Sequence, residues 1–139
     1  MPKCIARKLI SLSSICIVAS LMSFTANAEP VSYSVLQAEK GEKKYLAYCE
    51  ECHGEDLKGG TLGGALLRGN NFLGNFGGGS PASSLFQYIS EMMPPESPGR
   101  FSPTAYAELM AYILKRNGFP EGSPLPTDLD ALDNLTVGE

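Results

Sequence analysis

The chain has 139 residues, 43% of them apolar and 19% charged, with 15 acidic against 11 basic side chains and a formal charge of −4. That length points to one modest domain once a targeting segment is set aside. The acidic balance excludes nucleic acid and anionic membrane surfaces as natural partners and favours a protein with a basic docking patch.

The first segment in chain order has the build of an export signal. Lys3, Arg7 and Lys8 form a basic start, an apolar stretch runs from Leu9 to about Phe24, and Ala26-Asn27-Ala28 has the small-x-small form read by signal peptidase. Cleavage after Ala28 and residence in the periplasm are the expectation. A retained membrane anchor is the rival, but a spanning helix needs roughly 20 consecutive apolar residues, and serines break this stretch. A lipidated start is weaker, because Ser13-Ser14-Ile15 ahead of Cys16 lacks the small residue expected there. Cys4 and Cys16 then leave with the signal, no membrane span remains, and eight basic against 15 acidic residues carry a charge of −7. The predicted organisation is a signal over residues 1–28, a folded domain over 29–120 and an extended or peripheral tail over 121–139.

Glu29 to Ser34 shows no pattern and reads as loose surface chain. From Val35 to Tyr48, the residues Leu36, Gly41, Tyr45 and Tyr48 recur at helical spacing, with charges between them, which predicts a first helix. Gly59 to Gly79 reads as an irregular loop with apolar anchors such as Leu62, Leu67, Phe72 and Phe76. About 20 residues without regular structure is unusual in a compact domain unless they wrap a ligand. Ser80-Pro81 predicts an N-cap and first helical proline for a short helix through Leu85, Phe86, Ile89 and Met92, stopped by Pro94-Pro95. Ser102-Pro103 predicts a last helix carrying Tyr106, Leu109, Met110, Tyr112 and Ile113, stopped by Asn117-Gly118 and Pro120. No strand-type alternation occurs, so the predicted class is all-α, three to four helices with long loops.

The first predicted helix runs into Cys49-Glu50-Glu51-Cys52-His53. Two cysteines three apart, followed at once by histidine, form the attachment signature of c-type haem. Residues i and i+3 of a helical turn project to nearly the same side. Both thiols can therefore bond the two vinyl groups on one porphyrin edge, and the next residue turns its imidazole under the ring. A Cys49–Cys52 disulfide suits an exported protein but gives His53 no role. A thioredoxin-like pair needs a βαβ setting, and zinc needs four ligands, whereas His53 is the sole histidine.

With no second histidine, the other face of the iron calls for methionine, a soft and neutral donor that raises the potential. The candidates are Met92, Met93 and Met110. Met110 falls on the apolar stripe of the last helix, where packing is its natural role. Met92 and Met93 lie where the middle helix breaks, and Met93 precedes Pro94-Pro95, whose fixed φ angles stiffen a ligand loop. The residues alone favour the pair and lean to Met93, with Met92 as the fallback.

The pattern resembles the class I cytochromes c over about Glu39 to Pro120. Gly41, Tyr45 and Cys49 match the family's first helix, Leu109 and Tyr112 its last, and Met93-Pro94 its axial methionine. The resemblance implies the class I fold wrapped round one covalent haem c, held by Cys49 and Cys52 and ligated by His53 and Met93. More narrowly, Asp56-Leu57-x-Gly59-Gly60, Met93-Pro94-Pro95, Tyr112-Ile113-Leu114 and Asn117-Gly118-Phe119-Pro120 resemble the haem domains that serve bacterial quinoprotein alcohol dehydrogenases. One departure stands out. Many members place a proline soon after the motif, whose carbonyl accepts the hydrogen bond from the histidine Nδ1, and Gly63-Gly64-Ala65-Leu66-Leu67 has none. Another carbonyl must then orient His53.

Three functions follow as expectations. The first is a periplasmic carrier of single electrons, between a dehydrogenase such as a quinoprotein and an acceptor such as an oxidase or another cytochrome, with Glu50, Glu51, Glu55 and Asp56 either guiding a basic partner or serving only as solvated helix-end charges. The second is a dedicated haem subunit of a quinoprotein dehydrogenase complex. The third is an enzyme with an open iron position acting on a small ligand such as peroxide.

Overall fold

The computed structural model describes residues 28–138. The predicted export signal, with Cys4 and Cys16, lies outside the described residues apart from Ala28. Among the described residues no helix is long and apolar enough to cross a membrane.

Helix α1 spans Val35–Tyr48, as the periodicity predicts. Its start is a capping box: Ser34 Oγ accepts from the Gln37 amide at 3.2 Å, and Gln37 Oε1 accepts from the Ser34 amide at 3.2 Å. Ala38, Gly41 and Tyr45, three and four apart, form its buried face. The single-turn helix α2, Glu50–His53, follows directly, with Cys49 at φ −125° marking the break. Helix α4, Ala82–Met92, and helix α5, Pro103–Arg116, complete the central bundle. Ser102 Oγ caps α5 by accepting from the Ala105 amide, and Lys115 and Arg116 sit in its last turn, where cations complement the helix dipole.

The organising contact is the crossing of α1 and α5. A Cβ on Gly41 would lie 1.8 Å from the Glu108 carbonyl oxygen, so only glycine lets the two backbones meet. Around that point the Tyr45 and Tyr112 rings pack 5.1 Å apart. The buried Glu108 carboxylate is held by Lys44 at 2.5 Å and Lys40 at 3.7 Å.

Four differences from the sequence expectation share one cause, local order imposed by distant packing. The glycine-rich stretch contains helix α3, Asn70–Phe76. Its Asn and Gly residues have poor helix propensity, and Phe72 and Phe76, one turn apart, hold it through aromatic contacts with Phe119 and Tyr88. Ser80 is not an N-cap: Ser80–Pro81 is strand β2, Pro81 occupies the cap position, and Ser80 Oγ donates to the Gly77 carbonyl. Glu29 to Ser34 is not loose chain. Glu29–Pro30 forms strand β1, and Val31 and Tyr33 are buried. Finally, residues 121–138 include helix α6, Leu129–Asp133, and strand β3, Leu135–Val137, and contribute Leu125, Leu132 and Val137 to the core.

The three strands form a small sheet in the order β1-β3-β2 beside the helices. Strand β1 pairs parallel to β3, with Glu29 opposite Leu135, and β2 pairs antiparallel, with Ser80 opposite Val137. Pro30 and Pro81 sit in the outer strands, where a missing amide is tolerated. The Gln37 side chain, besides capping α1, accepts from the Leu125 amide at 2.8 Å and donates to its carbonyl at 2.9 Å. Ser83 Oγ donates to the Asp133 carboxylate. Among the described residues the architecture remains mostly helical, six helices with long connections, and the predicted all-α class stands with this sheet added to it.

Candidate haem site

The site is built where α1 gives way to α2. The Cys52 and His53 amides both donate to the Cys49 carbonyl, at 3.2 and 2.9 Å, so one tight turn carries both thiols and the imidazole. Neither cysteine is in a disulfide. The following chain wraps this turn closely: the Gly60 and Gly64 amides each donate to the Cys52 carbonyl at 2.8 Å. A Cβ on Gly64 would come within 2.4 Å of that same oxygen, and one on Gly60 within 2.4 Å of the Glu51 carbonyl oxygen, so these two positions require glycine.

The carbonyl that orients His53 is that of Ala65, 2.7 Å from Nδ1. A carbonyl only accepts, so Nδ1 carries the proton, and in the neutral imidazole the lone pair is then on Nε2. Ala65 lies in the Gly63–Leu67 stretch that lacks a proline, so its backbone takes the role that the family gives to one. Two neighbours hold the segment. The Leu67 amide donates to the Leu57 carbonyl at 2.8 Å, and Asn117 Nδ2 donates to the Leu67 carbonyl at 2.8 Å while its Oδ1 accepts from the Gly69 amide at 2.9 Å.

Met93 faces the same space from the end of α4. An apolar cavity of about 50 Å³ is lined by Tyr45, Cys49, His53, Leu67, Ile89, Met93, Leu109 and Ile113. A second, of about 190 Å³, shares Cys49, His53 and Met93 and adds Cys52, Leu62, Pro94, Pro95 and Glu96. Met92, the fallback, is 53% exposed, and Met110 is fully buried in the core. The donor set fits a haem: two unpaired thiols on one turn, an imidazole with its Nε2 free, a thioether, and apolar walls supplied by three helices.

Burial, assisted by Cys52 and then Glu96, pushes the Cys49 thiol up to about 11. Burial likewise raises the Tyr45 hydroxyl above its ordinary 10.0, with Cys49 and Tyr112 adding to the effect. Tyr45 Oη donates to the Gly54 carbonyl at 2.7 Å, a bond the phenolate cannot make. A group whose pKa rises on folding contributes stability that is present below its unfolded value and lost above it. The urea midpoint is therefore expected to fall as pH climbs past 10, and Tyr45→Phe to remove that part of the fall.

Of the four predicted acidic residues, Glu50, Glu51 and Glu55 join Glu96 around an open cleft of about 570 Å³ beside Cys49. Asp56 lies within 3.7 Å of Lys58 instead. Sequence reasoning missed the parts that Ala65, Asn117 and Glu96 play at the site. Only the first carried a signal, the proline-free stretch after the motif.

Residues 36–113 match the family described as cytochrome c oxidase, cbb3-type, subunit III. The chain belongs to that family. It is a c-type cytochrome, its haem c is covalently bound, and haem-based electron transfer is its chemistry. A search of curated proteins finds no match. Among solved structures, the cytochrome is similar to the crystal structure of the sulfane dehydrogenase SoxCD from Paracoccus pantotrophus, at 20% identity and a TM-score of 0.49. That alignment covers 68% of this chain and 48% of the solved one, so the cytochrome spans about half the length of that chain.

Proposed function

We propose that the chain is an exported carrier of single electrons, released by cleavage after Ala28, with residues 29–120 as its haem domain and 121–139 as a C-terminal segment. In this reading Cys49 and Cys52 hold the haem through thioether bonds, and His53 and Met93 are its axial ligands. The observation that carries it is the convergence of His53, with Nδ1 already engaged by Ala65, and Met93 on one apolar cavity beside Cys49. When bound, the haem supplies the one-electron ferric/ferrous couple.

The chain's own residues set the terms of that couple. Ala65 fixes the tautomer and ring direction of His53, which strengthens the imidazole as a donor. The Met93 thioether, soft and neutral, favours the reduced state. Tyr45, Leu109 and Ile113 keep water from the cavity, which also favours the less charged state. Glu50, Glu51, Glu55 and Glu96 border the attachment turn and offer a basic partner an electrostatic guide.

A dedicated haem subunit of a larger assembly is the second reading. The quinoprotein-type motifs favour a dehydrogenase as donor, and the name of the matched family favours an oxidase as acceptor. Expression with the haem-maturation machinery tests the first reading. The exported protein is expected to keep its haem through denaturation, as the adduct mass shows, and Cys49→Ser and Cys52→Ser each to lose one thioether bond, as the shifted pyridine spectrum of a haem with one free vinyl group shows. Haem retained covalently in the Cys49→Ser/Cys52→Ser double variant would overturn it.

A further inference from the structure

Met93 ends α4 in extended conformation, at φ −124° and ψ 143°, and the segment after Pro94 runs exposed from Pro95 to Arg100 before α5 begins. An exposed segment of this kind does not by itself hold a side chain in a fixed place. Both of its ends, however, meet one hydroxyl. Tyr106 Oη donates to the Met93 carbonyl at 3.1 Å and accepts from the Phe101 amide at 3.4 Å. The Tyr106 ring is 3% exposed and packs against the Phe101 ring at 5.5 Å, so the hydroxyl is fixed by α5, the most buried helix.

We propose that Tyr106 is a positioning residue for Met93: its hydroxyl fastens the base of the segment to α5 and so keeps the thioether turned into the cavity it shares with His53. The proposal rests on Met93 as the distal ligand. The mechanism is local and steric. The bond ends on the Met93 carbonyl, which leaves the sulfur free to act as a donor. Losing it releases the segment without emptying the core, since phenylalanine keeps the ring.

The test is displacement of the methionine by imidazole in the holoprotein, followed by its optical spectrum at a temperature where all variants are folded. Tyr106→Phe is expected to raise imidazole affinity about two- to tenfold, the range that follows from the net worth of one hydrogen bond. Tyr33→Phe is the matched control. That hydroxyl is also buried and donates to a backbone carbonyl, Phe119, at 3.1 Å, but it does not reach the Met93 segment, and its loss is expected to leave imidazole affinity unchanged. Adding Tyr106→Phe to Met93→Ala is expected to give no further gain. If Met93→Ala alone leaves the affinity unchanged, the ligand assignment fails. If Met93→Ala raises it while Tyr106→Phe behaves like Tyr33→Phe, the assignment holds and the positioning role is overturned.

Discussion

Replacing Gly41 with alanine is expected to destabilise the protein by about 3 kcal/mol, at the upper end of what overpacking costs. The added Cβ would sit 1.8 Å from the Glu108 carbonyl oxygen, 2.6 Å from its carbon and 3.0 Å from Tyr112 Cβ. The first two are backbone atoms and cannot turn aside, so α1 and α5 must separate. That separation loosens the Tyr45–Tyr112 contact and draws Lys44 from Glu108, leaving a buried carboxylate short of its partner. Against a total stability of roughly 5–15 kcal/mol, the loss is large. It also reaches the site, because the far end of α1 delivers Cys49. Urea unfolding checks it, the midpoint falling with little change in slope. Gly74→Ala, where an added Cβ meets nothing within 4 Å, is the control and is expected to be neutral or slightly stabilising.

Met93→Ala is expected to abolish the red absorption band of methionine-bound ferric haem and to lower the reduction potential. The sign follows from the donor: removing a soft neutral ligand withdraws support from the ferrous state more than from the ferric. Axial ligands set haem potentials over about 0.8 V, so a fall on the order of 0.2 V is reasonable for one exchange. Met92→Ala is expected to leave both band and potential in place, since that side chain is half exposed while Met93 lines the cavity with His53. A band that survives Met93→Ala and disappears with Met92→Ala would reverse the assignment.

What could be read from the sequence was whatever is encoded locally. The α1 boundaries, the Ser102 cap and the Asn117 stop depend on spacing and end chemistry within a turn or two, and Cys49, Cys52 and His53 are adjacent on the chain. What could not be read depends on partners far away. Helix α3 exists because Phe72 and Phe76 find Phe119 and Tyr88. Strands of two or three residues are too short to show alternation. The orienting carbonyl of Ala65 has no side-chain signature, because any residue offers the same atom there. Tyr106 read as one more apolar member of the last helix, and nothing in its spacing tells that its hydroxyl reaches the Met93 carbonyl. Gly64 looked like loop punctuation, and its reason is the close approach to Cys52.

The small sheet has a consequence for the order in which the molecule can be completed. Strand β3 lies between β1 and β2, so neither outer strand has a partner until β3 is in place. Thr136 and Glu29, bonded across the sheet, are 107 positions apart in the chain. The attachment turn, by contrast, closes through neighbours only a few residues distant, such as His53 to Cys49. Because long loops are slow to close, the turn bearing the two thiols can form on an emerging chain while the sheet waits for residues 135–137. The part that must meet a cofactor can thus be ready before the clasp that joins the two ends of the fold has the residues it needs to shut.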